Sequence, residues 1–163
     1  MNLRIIPVLL MLIFVAGCGF QLRGSNLDEL QRSNVYVQSS GANQIAGHVR
    51  QQLRYAGVNL IDDAGDADYL ISLSDERFER NILSVSPRTG KVQEYELSYQ
   101  SSLSVTDRNG EKLVNNEPIT AARDYVFDDG SVLGNFSQEG VLRNDIARHA
   151  ASSVLRRLQA VTQ

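Results

Sequence analysis

The chain carries one cysteine, two histidines and no tryptophan. A lone cysteine rules out an internal disulfide and a multi-thiolate metal site. His48 and His149 fall in helix-like segments with no third ligand at metal spacing, so no zinc site is expected. Basic charge is not in excess: 16 Lys and Arg stand against 19 Asp and Glu, a formal net charge of −3. That balance argues against nucleic acid as a partner. The apolar run from Ile5 to Val15 stops far short of the about 20 residues of a spanning helix. No repeat and no low-complexity tract is visible. Enzyme signatures are also missing. There is no Gly-x-Ser-x-Gly elbow and no glycine loop built to cradle phosphate. The paired carboxylates Asp62-Asp63 and Asp128-Asp129 sit in turn-like composition, without the burial that raises a carboxyl pKa. Neither catalysis nor a cofactor is expected.

What is present begins at the first residue. Asn2 and Arg4 precede the apolar run, and Val15-Ala16-Gly17-Cys18 ends it with small residues. Length, basic start and small-residue end fit a secretory signal. The tetrapeptide also resembles a lipobox, the bacterial signal whose cysteine receives diacylglycerol. An ordinary signal peptide with an incidental cysteine is the alternative, but the lone thiol falls where a lipobox demands it. Residues 1–17 are therefore expected to be removed, leaving Cys18 as a lipid-bearing N-terminus. Loss of Arg4 takes the net charge from −3 to −4 and leaves 163 − 17 = 146 residues. Each buried methylene contributes about 0.8 kcal/mol, so several chains anchor durably where one does not. In lipoproteins of enteric type, Gly19 after the cysteine implies sorting to the outer membrane. Residues 18–32 read as an extended tether, and 33–163 as a single α+β domain large enough to bury about two-thirds of its unfolded surface.

Within the domain, Val35, Tyr36 and Val37 mark a short strand over 33–38. Asn43 is a candidate N-cap, and Ile45, Val49, Leu53 and Ala56 form one apolar helical face with Arg50 and Arg54 on the other side. Gly57 suits the end of that helix. A ragged β pattern runs from Tyr69 to Val85, and Ser86 to Lys91 has turn composition. Tyr95, Leu97, Tyr99, Leu103 and Val105 then alternate with polar residues, Ser101 keeping register, which predicts a strand with one dry face. Asn109-Gly110 predicts a hairpin turn. Ile119 to Phe127 predicts another strand, opened by Pro118. Asn135 with Gln138 reads as a capping box for a final helix whose apolar side runs through Leu142, Ile146, Ala150, Val154, Leu158 and Val161, flanked by Val141. This order predicts a two-layer α+β sandwich: two helices on one face of a mostly antiparallel sheet of about four strands.

The chain resembles the LPS-assembly lipoprotein LptE family in five places. Cys18-Gly19-Phe20-Gln21-Leu22-Arg23-Gly24 is similar to the family's mature opening, and Val49 to Arg54 precedes a similar Gly-Val-Asn ending. Arg88-x-Gly90 with Glu94-Tyr95, then Arg123-x-Tyr125-x-Phe127-Asp128, and a final helix closing on Arg156-Arg157-Leu158 complete the pattern. The resemblance implies an outer-membrane lipoprotein that lies inside the LptD β-barrel as a plug, helps that barrel assemble, and assists insertion of lipopolysaccharide into the outer leaflet. It implies the same sandwich fold. A scaffold lipoprotein of another envelope-assembly complex is the alternative.

Arg88 and Lys91 share the turn between two strands, and guanidinium groups match phosphates with paired hydrogen bonds. Alone they read as solvated turn cations. The resemblance implies contact between this turn and lipopolysaccharide, with Arg88 at the matching place. Where some family members carry a lysine near the start of the final helix, this sequence has Asn135. Tyr125 and Phe127 are expected to pack. Arg50 and Arg54 are expected to be solvated, with salt bridges to a barrel lining as the alternative.

Overall fold

The computed structural model describes residues 27–127, 130 and 132–162, and of 132–136 the backbone alone. Elements follow as α1 (Asp28–Gln31), β1 (Asn34–Ser40), α2 (Asn43–Tyr55), β2 (Asn59–Leu60), a 3-10 turn (Ala64–Asp66), β3 (Tyr69–Val85), β4 (Val92–Asp107), β5 (Lys112–Val126) and α3 (Val132–Val161). The expected signal segment and Cys18 lie outside the described residues.

Among the described residues the strands form one sheet in the order β2-β1-β3-β4-β5. It has five strands and is mixed, which corrects the expectation of about four, mostly antiparallel. The reason lies in the connection. A helix between β1 and β3 returns the chain to the same end of the sheet, so the two pair in parallel, Val35 opposite Tyr69 through Ser40 opposite Ser74. The extra strand β2 is two residues long and pairs in parallel with β1, too short to leave a periodic signal. The antiparallel expectation holds for β3, β4 and β5, which form a meander. A third helix also appears. Where an extended tether is expected, α1 forms, and Leu27 just before it and Leu30 within it are completely buried.

The core lies between one sheet face and the two longer helices. Val35, Val37, Ile71, Leu73, Leu97, Leu103 and Val105 point into it from the strands, and Ile45, Val49, Leu53, Ile146, Val154 and Leu158 from the helices. Ala46, Ala147, Ala150 and Ala151 are also fully buried. Gln52 of α2 donates to the Arg148 carbonyl of α3 at 3.1 Å and accepts from the Ser152 hydroxyl at 3.2 Å, which locks the two helices together. Val141, expected to flank the apolar stripe, is 71 % exposed. On the other sheet face Gln100, Thr120 and Ala122 stay open to solvent.

Two irregularities explain the ragged strand signals. Asp75 sits at φ 57, and the β3–β4 register shifts between Ser74 and Arg77. This bulge turns the inward set from Ile71 and Leu73 to Glu76, Phe78 and Arg80. A second bulge, with Asn116 at φ 50 and its N–H donated to Ser104 Oγ at 2.9 Å, breaks the alternation of β5. The strand therefore starts at Lys112, and Pro118 lies within it rather than at its head. As an edge strand β5 tolerates the missing N–H. Both expected caps need correction. Ala42 is the N-cap residue of α2 and Asn43 its first helical residue. Helix α3 begins at Val132, so Asn135 is within it rather than capping it, and its side chain lies outside the described residues.

Candidate functional site at the β3–β4 hairpin end

The β3–β4 hairpin outruns β1, whose pairing with β3 ends at Ser74. Its apex is the turn 86–91. Ser86 donates its N–H to the Lys91 carbonyl at 2.7 Å, and Gly90 to the Ser86 carbonyl at 2.8 Å. Gly90 has φ +69, a left-handed conformation that glycine adopts without strain. Within this closed turn Arg88 and Lys91 are brought together, and both are exposed. From Arg80 to Gln93 the sequence holds three cations, Arg80, Arg88 and Lys91, and no carboxylate. In a chain of net negative charge, this is a local positive end.

Below the apex the hairpin is exposed and apolar. Ile82 is 60 % exposed, Leu83 and Val85 each 50 %, and Val126 at the adjoining end of β5 66 %. Sequence periodicity missed this collar because these residues read as ordinary strand interior. The one signal was the ragged register, and the structure shows shifts on both sides of Ser84.

A polar and aromatic cluster braces the hairpin against α3. Glu139 accepts two hydrogen bonds from Arg143, at 3.1 and 2.7 Å, and one each from the Tyr125 hydroxyl at 3.3 Å and Arg80 at 3.4 Å. The Arg143 hydrogen bonds, helped by the Arg80 charge, hold its carboxyl below the usual range. Burial pushes the Tyr125 hydroxyl up. Arg80 lies over the Tyr95 ring at 4.8 Å and Arg143 over Phe78 at 4.9 Å. Tyr95 stacks on Tyr125 at 5.8 Å and meets Phe127 edge-on at 5.3 Å. Tyr125 and Phe127 thus pack as expected, while Arg123 reaches Asp145 of α3 at 3.8 Å. Glu139 escaped sequence reasoning, since its partners lie on three separate elements.

The remaining candidates fall elsewhere. Arg50 donates to the Val37 carbonyl at 2.7 Å, and Arg54 is exposed. His149 is exposed, 3.8 Å from Asp145, and His48 is half-buried. Among the described residues no group of three or more His, Cys, Asp or Glu could hold a metal ion. No described helix is long and apolar enough to cross a membrane. The arrangement at the hairpin end is suited to binding an anion beside an apolar surface.

The chain is similar in sequence and in fold to known lipoproteins. A family model described as LptE: Lipopolysaccharide-assembly matches residues 32–158. LPS-assembly lipoprotein LptE of Photorhabdus laumondii is 29 % identical over 167 residues, spanning 99 % of this chain and 88 % of that protein. The protein of the same name in Pectobacterium atrosepticum is 26 % identical, over 93 % of this chain and 82 % of that one. The crystal structure of rare lipoprotein B from Shewanella oneidensis has TM-score 0.68 and 28 % identity, covering 78 % of this chain and 94 % of that one. The solution structure of lipoprotein B from Nitrosomonas europaea has TM-score 0.71 and 26 % identity, over 87 % and 91 %.

Proposed function

Because this chain belongs to the LptE family of lipopolysaccharide-assembly lipoproteins, whose model spans residues 32–158, we propose that it acts as the plug of the LptD β-barrel and presents its β3–β4 hairpin to lipopolysaccharide. In this reading Cys18 carries the lipid that holds the protein on the outer membrane, and Arg88 and Lys91 meet phosphates of lipid A. The observation that carries it is the hairpin apex, where two exposed cations sit on a hydrogen-bonded turn within a stretch free of carboxylates. Guanidinium and ammonium groups bind phosphate through charge-assisted hydrogen bonds, strongest where no nearby carboxylate competes. The open polar sheet face, with Gln100 and Thr120, suits the polar lumen of a wide barrel and supports the plug.

One preparation tests both halves. Tagged full-length protein drawn from outer membranes in mild detergent should bring down a stoichiometric, salt-resistant partner of barrel size that proves to be LptD. Arg88→Glu/Lys91→Glu should retain that partner and its own melting temperature while losing affinity for lipopolysaccharide. Recovery of the protein alone, or with other envelope machinery, overturns the plug; undiminished binding by the double variant overturns the phosphate contact.

A further inference from the structure

At the end of the sheet away from Arg88 and Lys91, the turn between β4 and β5 holds the chain's one Asn-Gly pair, Asn109-Gly110. We infer that Asn109 is a site of spontaneous covalent modification, its side-chain amide lost through ring closure by the Gly110 nitrogen, and that Asp107 restrains this reaction in the folded protein. The inference is independent of the proposed function.

The chemistry needs only water. The Gly110 nitrogen gives up its proton and forms a bond to Cγ of Asn109. The Cγ–Nδ2 bond breaks, and ammonia leaves with that proton, closing a succinimide ring. One water molecule then opens the ring. Attack at Cγ gives aspartate, while attack at the Asn109 backbone carbonyl carbon gives iso-aspartate, whose main chain runs through Cγ and is longer by one methylene. Nothing is oxidised or reduced.

Sequence and exposure select Asn109. Every other asparagine in the chain precedes a residue with a side chain, which crowds the attacking nitrogen; glycine leaves it bare. Asn109 and Gly110 are both exposed, so water reaches them. Gly110 has φ +82, and a Cβ built on it meets nothing within 4 Å, so there is room for the ring to form. Asp107 works against the reaction. Asn109 Nδ2 donates to its Oδ2 at 3.0 Å, the Asn109 N–H to its Oδ1 at 2.9 Å, and the Gly110 N–H to its carbonyl at 3.1 Å. Both reacting groups, the amide and the Gly110 N–H, are thus held by one residue and must be released before they meet. The Glu111 N–H also donates to Asp107 Oδ1 at 2.8 Å. That bond first, with those from Asn109 and Gly110, keeps the Asp107 carboxyl below its usual range and therefore ionised at neutral pH. A carboxylate at this place also opposes the negative charge that develops on the Gly110 nitrogen.

The test incubates the full-length protein at neutral pH in mild detergent, folded and in guanidinium chloride, and follows its mass with fragmentation to locate the change. Asn109 should gain about one mass unit as its amide gives way to a carboxyl. The folded chain should react at least about tenfold more slowly than the denatured one, as two hydrogen bonds that must open first allow. Asp107→Asn keeps an acceptor for the Asn109 and Glu111 N–H groups and loses the second oxygen that holds the amide. It should react several-fold faster than the unaltered fold, and Asp107→Ala faster still, each shown by its melt to be folded during incubation. Where Asp107→Ala does not hold its fold, Asp107→Asn carries the comparison. Asn109→Ser should abolish the gain. The iso-aspartate product should melt below the unmodified protein, because its extra methylene lies inside the turn that the Asp107 N–H closes on the Glu111 carbonyl at 3.0 Å. A gain that appears first at another asparagine, or no gain in the folded chain while the denatured chain converts, overturns the site. Equal rates for folded and denatured chain, or for the unaltered protein and the folded Asp107 variants, overturn the role of Asp107.

Discussion

At the residue scale, the carboxylate of Glu139 shows how one group sets the behaviour of a region. It gathers Arg143, Arg80 and the Tyr125 hydroxyl, and so fastens the hairpin and β5 to α3. Its carboxyl is held below the usual range chiefly by the Arg143 hydrogen bonds. A group whose folded pKa is depressed adds stability that is complete above its unfolded pKa of about 4.3, and lost as pH falls through the lower folded value. The difference in melting temperature between the unaltered protein and Glu139→Gln should therefore be largest at neutral pH and shrink below about pH 4. At pH 7 the variant should lose roughly 1–2 kcal/mol, the usual contribution of hydrogen bonds to a charged group. A difference that stays constant with pH would show that Glu139 is not the titrating support.

At the scale of elements, the bulge in β3 joins strand to helix. With Asp75 turned to positive φ, Glu76 reaches inward and accepts the N–H groups of Gln44 and Ile45, at 3.1 and 3.0 Å. A carboxylate from 31 residues away thus caps α2, whose own N-cap residue, Ala42, offers no side-chain acceptor. The same carboxylate accepts from the Tyr99 hydroxyl at 3.0 Å, and burial with this negative neighbour pushes the Tyr99 pKa up. Glu76→Ala removes the cap and the acceptor of a nearly buried hydroxyl together. The urea midpoint should fall by an amount equivalent to roughly 2–3 kcal/mol. Glu76→Gln, which keeps an acceptor and gives up the charge at the positive helix end, should lose less than half of that. Equal losses would mean that packing, not capping, is the role of Glu76.

At the scale of the whole molecule, α2 and α3 share one sheet face, and both bury small residues. Ala46 of α2 and Ala147, Ala150 and Ala151 of α3 are fully buried, and the Gln52 to Arg148 and Ser152 bonds span the seam. Close packing leaves no room for added methylenes. Ala150→Leu should destabilise the fold by about 1–3 kcal/mol in a thermal or urea melt. Because the hairpin end lies away from Ala150, its affinity for ligand should be unchanged under folding conditions. A melt that does not move would show that the core around Ala150 has room for the larger side chain.

Much of this was legible in the residues themselves. Alternation from Tyr95 to Val105 fixes a strand with one dry face whatever surrounds it, and Ile45-Val49-Leu53 fixes one helical face, because side-chain periods of 2 and 3.6 are local geometry. Ser86 to Lys91 and Asn109-Gly110 placed both hairpin turns, so the pairing of Arg88 with Lys91 at one apex was readable too. The tertiary structure decided what depends on partners distant in sequence. It set the parallel pairing of β1 with β3 and the capture of the two-residue β2, since pairing direction follows from where a connecting helix delivers the chain. It gave Glu76 and Glu139 their roles, because a hydrogen bond across 31 or 59 residues leaves no mark in local sequence. It also left Ile82, Leu83, Val85 and Val126 exposed: a sequence records that a residue is apolar, and only the packed molecule decides whether anything covers it.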